Sequence, residues 1–321
     1  MRLEARNSRL TAYAVGTQSN LRAHWKAYFM FCIYFGLQPV PASTQVLCLF
    51  GQFLARSFKS ITSIRAYISG VKTLHLFLDI PLDLEPAFIL SLTLKGIAKT
   101  LRHFPLQKLP VTPDILVRLF EQLDPKSQFH SAIWCCFIFA FLLCARKSNL
   151  MPISTVKFDP NICLLRSDVR ISSNGLVICI KWSKTNQTGE RFLTIPLLPC
   201  PGSILCPVRA YERMIFLCKA SDSHPLFSFA KAGKSSFLTF HVFDKELKRL
   251  ISRIGLDPVL YSGHSFRRGG ATWAFAQGFT SEALKLLGDW KSDAFLLYIH
   301  LSFNTRIDLA NRLSHSLLKF K

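Results

Sequence analysis

Apolar positions in the first hundred residues recur every three or four places, the period of helices that share one core. One helix is predicted from near Ser19 to Gly36, where Gly36, Pro39 and Pro41 stop it. A second, capped by Ser43 or Thr44, runs to about Arg56. A third carries Ile61, Ile64, Ile68, Val71, Leu74 and Leu78 as one stripe. A fourth opens at Glu85-Pro86, since proline is tolerated in a first helical turn, and reaches Arg102. Residues 103–113, HFPLQKLPVTP, hold three prolines and little periodicity, as expected of a linker. The division expected is a helical domain over 1–105 and a second domain over 106–321.

The pattern of the second part changes twice. A helix begins near Pro113 or Asp114, and a continuously apolar one, Ala132 to Ala145, ends at Arg146-Lys147. That run is too short for the ~20 residues a membrane span needs, so a buried core helix is expected. From about 156 to 200 three strand-length segments follow, Cys163–Ile171, Gly175–Trp182 and Arg191–Leu197, the last two flanking the polar turn KTNQTGE. Helices return at 207–219, 239–254, 266–277, 281–288, 292–302 and 304–318. The fold class is therefore mainly α with a small antiparallel β-sheet.

Charge alters this picture more than composition does. The 321 residues include 40 Lys and Arg against 19 Asp and Glu, a formal net charge of +21. Such an excess repels itself unless a polyanion is the usual partner, and double-stranded DNA is the first candidate. Arg22, Lys26, Lys59, Arg65, Lys72, Lys95, Lys99 and Arg102 punctuate the first four helices. The ten cysteines show no CxxC pair, and Cys135, Cys136, Cys144 and Cys179 sit in apolar stretches as small hydrophobes. No zinc pattern is present, and Met1 to Asn20 carries no secretory signal, which points to a reducing interior, cytosolic or nuclear.

Four segments of the second domain can carry chemistry. CARKSNL puts Arg146 after an apolar helix, where a guanidinium is costly to bury unless it meets an anion. Alone it would be a cation on its own helix C-terminus. Lys184 stands in the hairpin turn, where a lysine is ordinarily solvated. GHSFRRGGATWAFAQG places His264 and Arg267 three residues apart near a helix start, on one side, beside backbone N–H donors. LLGDWKSDAFLLYIH places Tyr298 on a short helix, eight residues after Trp290.

In order and spacing these segments resemble the tyrosine recombinase (phage-type integrase) family. The resemblance covers about Pro110 to Leu318. It implies a SAM-like helical core-binding domain ahead of the catalytic domain. SKTNQ, HSFRRGGAT and GDWKSDAFLLYI look most like recombinases of eukaryotic DIRS, Ngaro and Crypton-like mobile elements, which implies a nuclear protein. The site implied comprises Arg146, Lys184, His264, Arg267, Trp290 and the nucleophile Tyr298. The family's reaction needs no cofactor, and its assembly is a tetramer on two DNA sites, with a C-terminal helix exchanged between subunits. Residues 304–318, with Ile307, Leu309, Leu313, Leu317 and Leu318, would supply that helix.

Two positions depart from the family pattern. Asn149 stands where an acidic residue is common, which loosens the orientation expected of Arg146. Counting back nine residues from Tyr298 reaches Asp289, whereas Trp290 is the occupant that suits a phosphate, since an aspartate would repel it. Lys181 is the runner-up for Lys184. These departures leave open a catalytically decayed, domesticated DNA-binding protein. A type IB topoisomerase uses a similar constellation, but the helical first domain and short chain favour a recombinase.

Overall fold

In the computed structural model the described residues are 2–82, 84–103, 106–156, 158–183, 192–231, 233–299, 307, 310, 311 and 314. The chain forms two compact units, Met1–Leu106 and Gln107–Lys321.

The first unit is helical. Its elements are α1 (Arg2–Thr11), α2 (Val15–Tyr34), α3 (Thr44–Ala55), α4 (Ile61–Leu78) and α5 (Ala87–Leu101). The Ser43 hydroxyl accepts from the Val46 N–H (3.2 Å) and starts α3. Ser60 does the same for α4 through the Thr62 N–H (3.3 Å). The α4 stripe buries Ile64, Ile68, Val71 and Leu74 against Tyr28, Phe31, Leu47 and Phe50. Gly70 lets α2 and α4 cross closely, since a Cβ there would meet the His24 ring. His75 is a core histidine with both ring nitrogens used: Nε2 accepts from the Ala42 N–H (2.9 Å), and Nδ1 lies 2.9 Å from the Val71 carbonyl. Helix α1 precedes the first element that the sequence pattern predicts. Arg22, Lys26, Lys59, Arg65, Lys72, Lys95, Lys99 and Arg102 are all exposed.

The second unit is built around α7 (Gln128–Leu142), which follows α6 (Pro113–Phe120). Every residue from Ser131 to Phe141 is buried, so the apolar run is a core helix wrapped on all sides. Phe137 packs between Phe243 and Phe266, with ring centroids 5.3 and 4.8 Å away. Among the described residues no helix is long and apolar enough to cross a membrane. A short helix α8 (Lys147–Leu150) leads to β1 (Val169–Ser172), β2 (Gly175–Ile180) and β3 (Leu193–Leu197), an antiparallel sheet in that order. Its register pairs Val169 with Ile178 and Leu176 with Leu197.

The first strand is shorter than Cys163–Ile171, because Arg166–Asp168 form a 3-10 turn ahead of it. There Arg166 is buried and donates to the Leu226 and Ser228 carbonyls (3.1 and 3.3 Å). After α9 (Pro207–Leu217) comes a second hairpin that the sequence pattern missed, β4 (Ser228–Lys231) with β5 (Lys234–Phe237). The unit then continues through α10 (Phe240–Arg253), α11 (Gly263–Ala276) and α12 (Ser281–Gly288) to a 3-10 turn at Asp293–Leu297. Of the helix expected at 292–302, the described residues 292–299 show only that turn, and 300–302 lie outside the described residues. The one expected at 304–318, with Leu309, Leu313, Leu317 and Leu318, lies almost wholly outside the described residues.

Candidate active site

The site begins with a break in the chain. After α7 the backbone turns left-handed at Cys144 (φ +45°), and Arg146 follows as the N-cap of α8. Arg146 therefore does not end the apolar helix, and the expectation of a cation on its own helix C-terminus is corrected. The left-handed residue reverses the chain, so Arg146 faces a helix start and receives no help from a macrodipole.

Helix α11 is pressed onto this turn by two glycines. A Cβ at Gly269 would strike the Val111 carbonyl, and one at Gly270 would strike the Phe141 carbonyl and lie 2.8 Å from the Cys144 Sγ. That approach carries Arg267 inward until only 1% of it is exposed. Its Nη1 donates to the Cys144 carbonyl. The plane of its guanidinium is covered by aromatic rings, with Cζ 3.9 Å from the Trp290 ring centroid and 5.2 Å from that of Tyr298. Trp290 and Tyr298 lie 5.8 Å apart, centroid to centroid.

Among the described residues three buried donors at this point have no partner: Nε and Nη2 of Arg267, and Nε1 of Trp290. Buried polar groups are almost always hydrogen-bonded, and an orphaned one costs ~1–3 kcal/mol. Three together, two of them on a cation, mark a place shaped for an oxygen-bearing anion. Burial, then the charge of Arg146, pushes the Arg267 pKa down to about 10, while Tyr298 and Cys144 oppose the shift. Arg267 thus remains a cation at neutral pH, held at a cost. The Cys144 thiol is pushed up to about 12 by burial, despite Arg267 beside it.

His264, one turn before Arg267 on α11, is exposed at the edge of the site. Its pKa is lowered, first by desolvation of the ring and then by the cations Lys147, Arg267 and Arg146, with Asp244 opposing. Lys147 reaches this edge because Gly263 has no Cβ to block its aliphatic stem, and its Nζ pairs with Asp244 at 2.5 Å.

The ambiguity between Asp289 and Trp290 has a geometric answer. Asp289 caps α12 in the left-handed region (φ +51°), and its carboxylate accepts from the Ser183 hydroxyl at 2.9 Å. The same turn swings Trp290 onto Arg267. Gly288 makes room, since a Cβ there would overlap the indole. Tyr298 is half-buried and directly follows the 3-10 turn, so it does not lie on an α-helix as expected. Its carbonyl accepts from the Thr272 hydroxyl (3.3 Å). Arg268, which the motif reading passed over, donates to the Leu297 carbonyl (3.1 Å) and to the Gln107 side chain (3.1 Å), pinning the segment just before the tyrosine. The doubled arginine in HSFRRGG was the only sequence signal for it.

Arg146, His264, Arg267, Trp290 and Tyr298 are thus brought to one region. Lys184 lies outside the described residues. Lys181, its runner-up, is engaged elsewhere, with Nζ 2.9 Å from Asp168 and 3.0 Å from the Pro160 carbonyl. Among the described residues no cluster of His, Cys, Asp or Glu could hold a metal ion.

Comparison with known proteins bears on the fold. No family model matches the chain. An integrase/recombinase XerD homologue of Selenomonas ruminantium is 24% identical over 261 residues, 78% of this chain and 71% of that protein. The integrase of transposon Tn1549, solved with transposon right-end DNA, superimposes with a TM-score of 0.61 at 14% identity, over 96% of this chain and 98% of that one. The fold is that of the tyrosine recombinases. A lambda integrase dimer bound to a core site (TM-score 0.56, 14% identity, 92% of this chain and 93% of that one) has the same tyrosine-recombinase fold. So does XerH recombinase bound to its palindromic difH substrate in a post-cleavage complex (0.55, 13%, 84% and 69%). The fold class expected from the sequence, mainly α with small antiparallel sheets, is the one observed.

Proposed function

We propose that this protein is a site-specific DNA recombinase that cleaves and rejoins duplex DNA through a 3′-phosphotyrosyl intermediate, with Tyr298 as nucleophile. The observation that carries the proposal is the trio of unpartnered buried donors on Arg267 and Trp290, set against the tyrosine ring. The relatives above, including those solved on DNA, supply the class of substrate.

In this reading the Tyr298 hydroxyl attacks the scissile phosphorus, a P–O bond to tyrosine forms, and the bond to the 5′-oxygen breaks. Charge building on the non-bridging oxygens is met by the open Nε and Nη2 of Arg267, by Arg146 and by the Trp290 N–H. His264 offers a donor at the edge of the site and can exchange a proton. Lys184 is assigned protonation of the departing 5′-oxygen on sequence grounds. Rejoining is the same step reversed by a 5′-hydroxyl, and the phosphotyrosyl bond conserves the energy, so the reaction as written calls on neither metal nor nucleotide.

The exposed cations of the first unit would add sequence-independent backbone contacts, in keeping with a core-binding role for residues 1–105 and a catalytic role for 106–321. Full recombination would use a tetramer on two sites. The experiment is incubation with nicked suicide duplexes, read on a denaturing gel. A protein–DNA adduct that Tyr298→Phe abolishes supports the proposal. Tight, salt-sensitive binding with no adduct on any substrate would make the protein a DNA binder only.

A further inference from the structure

Two hydrogen bonds, one part-buried and one buried, converge on consecutive residues just beyond the end of β2. The Asn149 amide nitrogen donates to the Trp182 carbonyl (3.0 Å), while its amide oxygen accepts from the Arg146 N–H (3.1 Å). One residue on, the Ser183 hydroxyl donates to the Asp289 carboxylate (2.9 Å). Asn149, Ser183 and Asp289 are 5, 4 and 9% exposed. Arg146, Asn149, Ser183, Arg267 and Asp289 all line one small cavity. A continuous path therefore runs from Arg146 through Asn149 to the strand end, and from there through Ser183 to Asp289 and its chain neighbour Trp290.

We propose that Asn149, Ser183 and Asp289 are positioning residues that tie Arg146 and Trp290 to the same strand end, and so hold the two sides of the anion clamp in register. The idea rests on the clamp reading given above. The residue types suit the task. The amide accepts from the Arg146 N–H and donates to the Trp182 carbonyl at once, whereas an aspartate at 149 would set a carboxylate against that carbonyl. The left-handed turn at Asp289 points its carboxylate at Ser183 while the next residue covers Arg267. Residues bonded in this way fix the geometry of groups that touch the reacting phosphate without touching it themselves.

The test compares Asn149→Asp and Ser183→Ala with wild type on two suicide duplexes, one with a normal scissile phosphodiester and one with a methylphosphonate. The methylphosphonate lacks the non-bridging charge and so needs little from the cations. Each variant is expected to slow adduct formation about tenfold on the phosphodiester, in proportion to the loss of one buried hydrogen bond, with DNA affinity unchanged. On the methylphosphonate the defect should shrink to about twofold or less, and Ser183→Thr, which keeps the hydroxyl, should restore the rate on the phosphodiester. Equal slowing on both duplexes, or no slowing on either, overturns the proposal. A second arm needs no cleavage: melting in millimolar sulfate against chloride at equal ionic strength. Wild type should melt higher in sulfate, and Asn149→Asp and Ser183→Ala should lose that rise. An unchanged rise in the variants, or none in wild type, overturns the proposal. If wild type forms no adduct yet shows the sulfate rise, the catalytic reading fails while the clamp and its supports stand.

Discussion

Replacing Arg267 by methionine separates the two roles a buried arginine can play. Methionine keeps much of the side-chain volume and removes the charge. Burial and Arg146 depress the guanidinium pKa from its ordinary value to about 10, which corresponds to about 3 kcal/mol held against the charged form. The substitution relieves that cost. It also leaves the Cys144 carbonyl without its donor, ~1–3 kcal/mol, and removes a desolvated cation–π contact, ~2 kcal/mol. These effects oppose each other, so the net change in stability should fall within ~2 kcal/mol of zero. Breaking a buried structural ion pair costs ~3–5 kcal/mol by comparison. Cleavage should behave quite differently, because two of the three open donors disappear. A loss of about 100- to 1,000-fold in adduct formation is expected, the usual effect of removing a preorganised oxyanion donor. Urea unfolding measures the first quantity and single-turnover cleavage of a suicide duplex the second. A variant destabilised by more than ~3 kcal/mol that still cleaved at the wild-type rate would make Arg267 a structural residue and refute the reasoning.

Other consequences are as direct. Gly288→Ala should push the Trp290 ring off Arg267 and lower cleavage at least ~10-fold with little change in DNA affinity, measured as paired single-turnover and binding assays. Gly269→Ala drives a methyl into the Val111 carbonyl and should destabilise the second unit by ~1–3 kcal/mol or more, lowering Tm by at least several degrees in calorimetry. His264 should titrate below 6.5 by NMR in the free protein, because its surroundings disfavour the imidazolium. The sign follows from linkage: the unfolded chain binds the proton more readily, so this residue's contribution to stability is complete above pH 6.5 and declines as pH falls through the lowered pKa. Phosphate or DNA binding should move that pKa upward, since an anion offsets the nearby cations.

Much of this molecule is legible in its sequence, for physical reasons that can be traced. Helix α4 was readable because its stripe faces one core and Ser60 caps it locally. The helix over 281–288 was readable for the same reasons, with Thr280 as its cap. Arg146, His264, Arg267 and Tyr298 were visible through the resemblance their segments bear to one family, Trp290 was preferred to Asp289 on chemistry, and the fold brings these residues together. What the sequence concealed depends on backbone sign and distant partners. Nothing local shows that Cys144 turns left-handed and converts Arg146 from a helix end into a helix start. The strands Ser228–Lys231 and Lys234–Phe237 are four residues each, with serines where alternation would be sought. They are held partly by a distant side chain, the Ala230 N–H donating to the Gln128 side-chain oxygen (2.8 Å). Asp289 seemed a liability for phosphate binding because its partner, Ser183, lies 106 residues away.

The central claim is that Tyr298 becomes joined to the 3′ side of a broken strand. The most direct measurement is to digest the trapped adduct with protease, identify the modified residue by mass spectrometry, and ask whether the released strand bears a free 5′-hydroxyl that a polynucleotide kinase can label. A phosphotyrosyl peptide carrying Tyr298, with a kinase-labelled 5′ end, is the predicted result. Attachment through any other residue, or linkage to a 5′-phosphate, would contradict it.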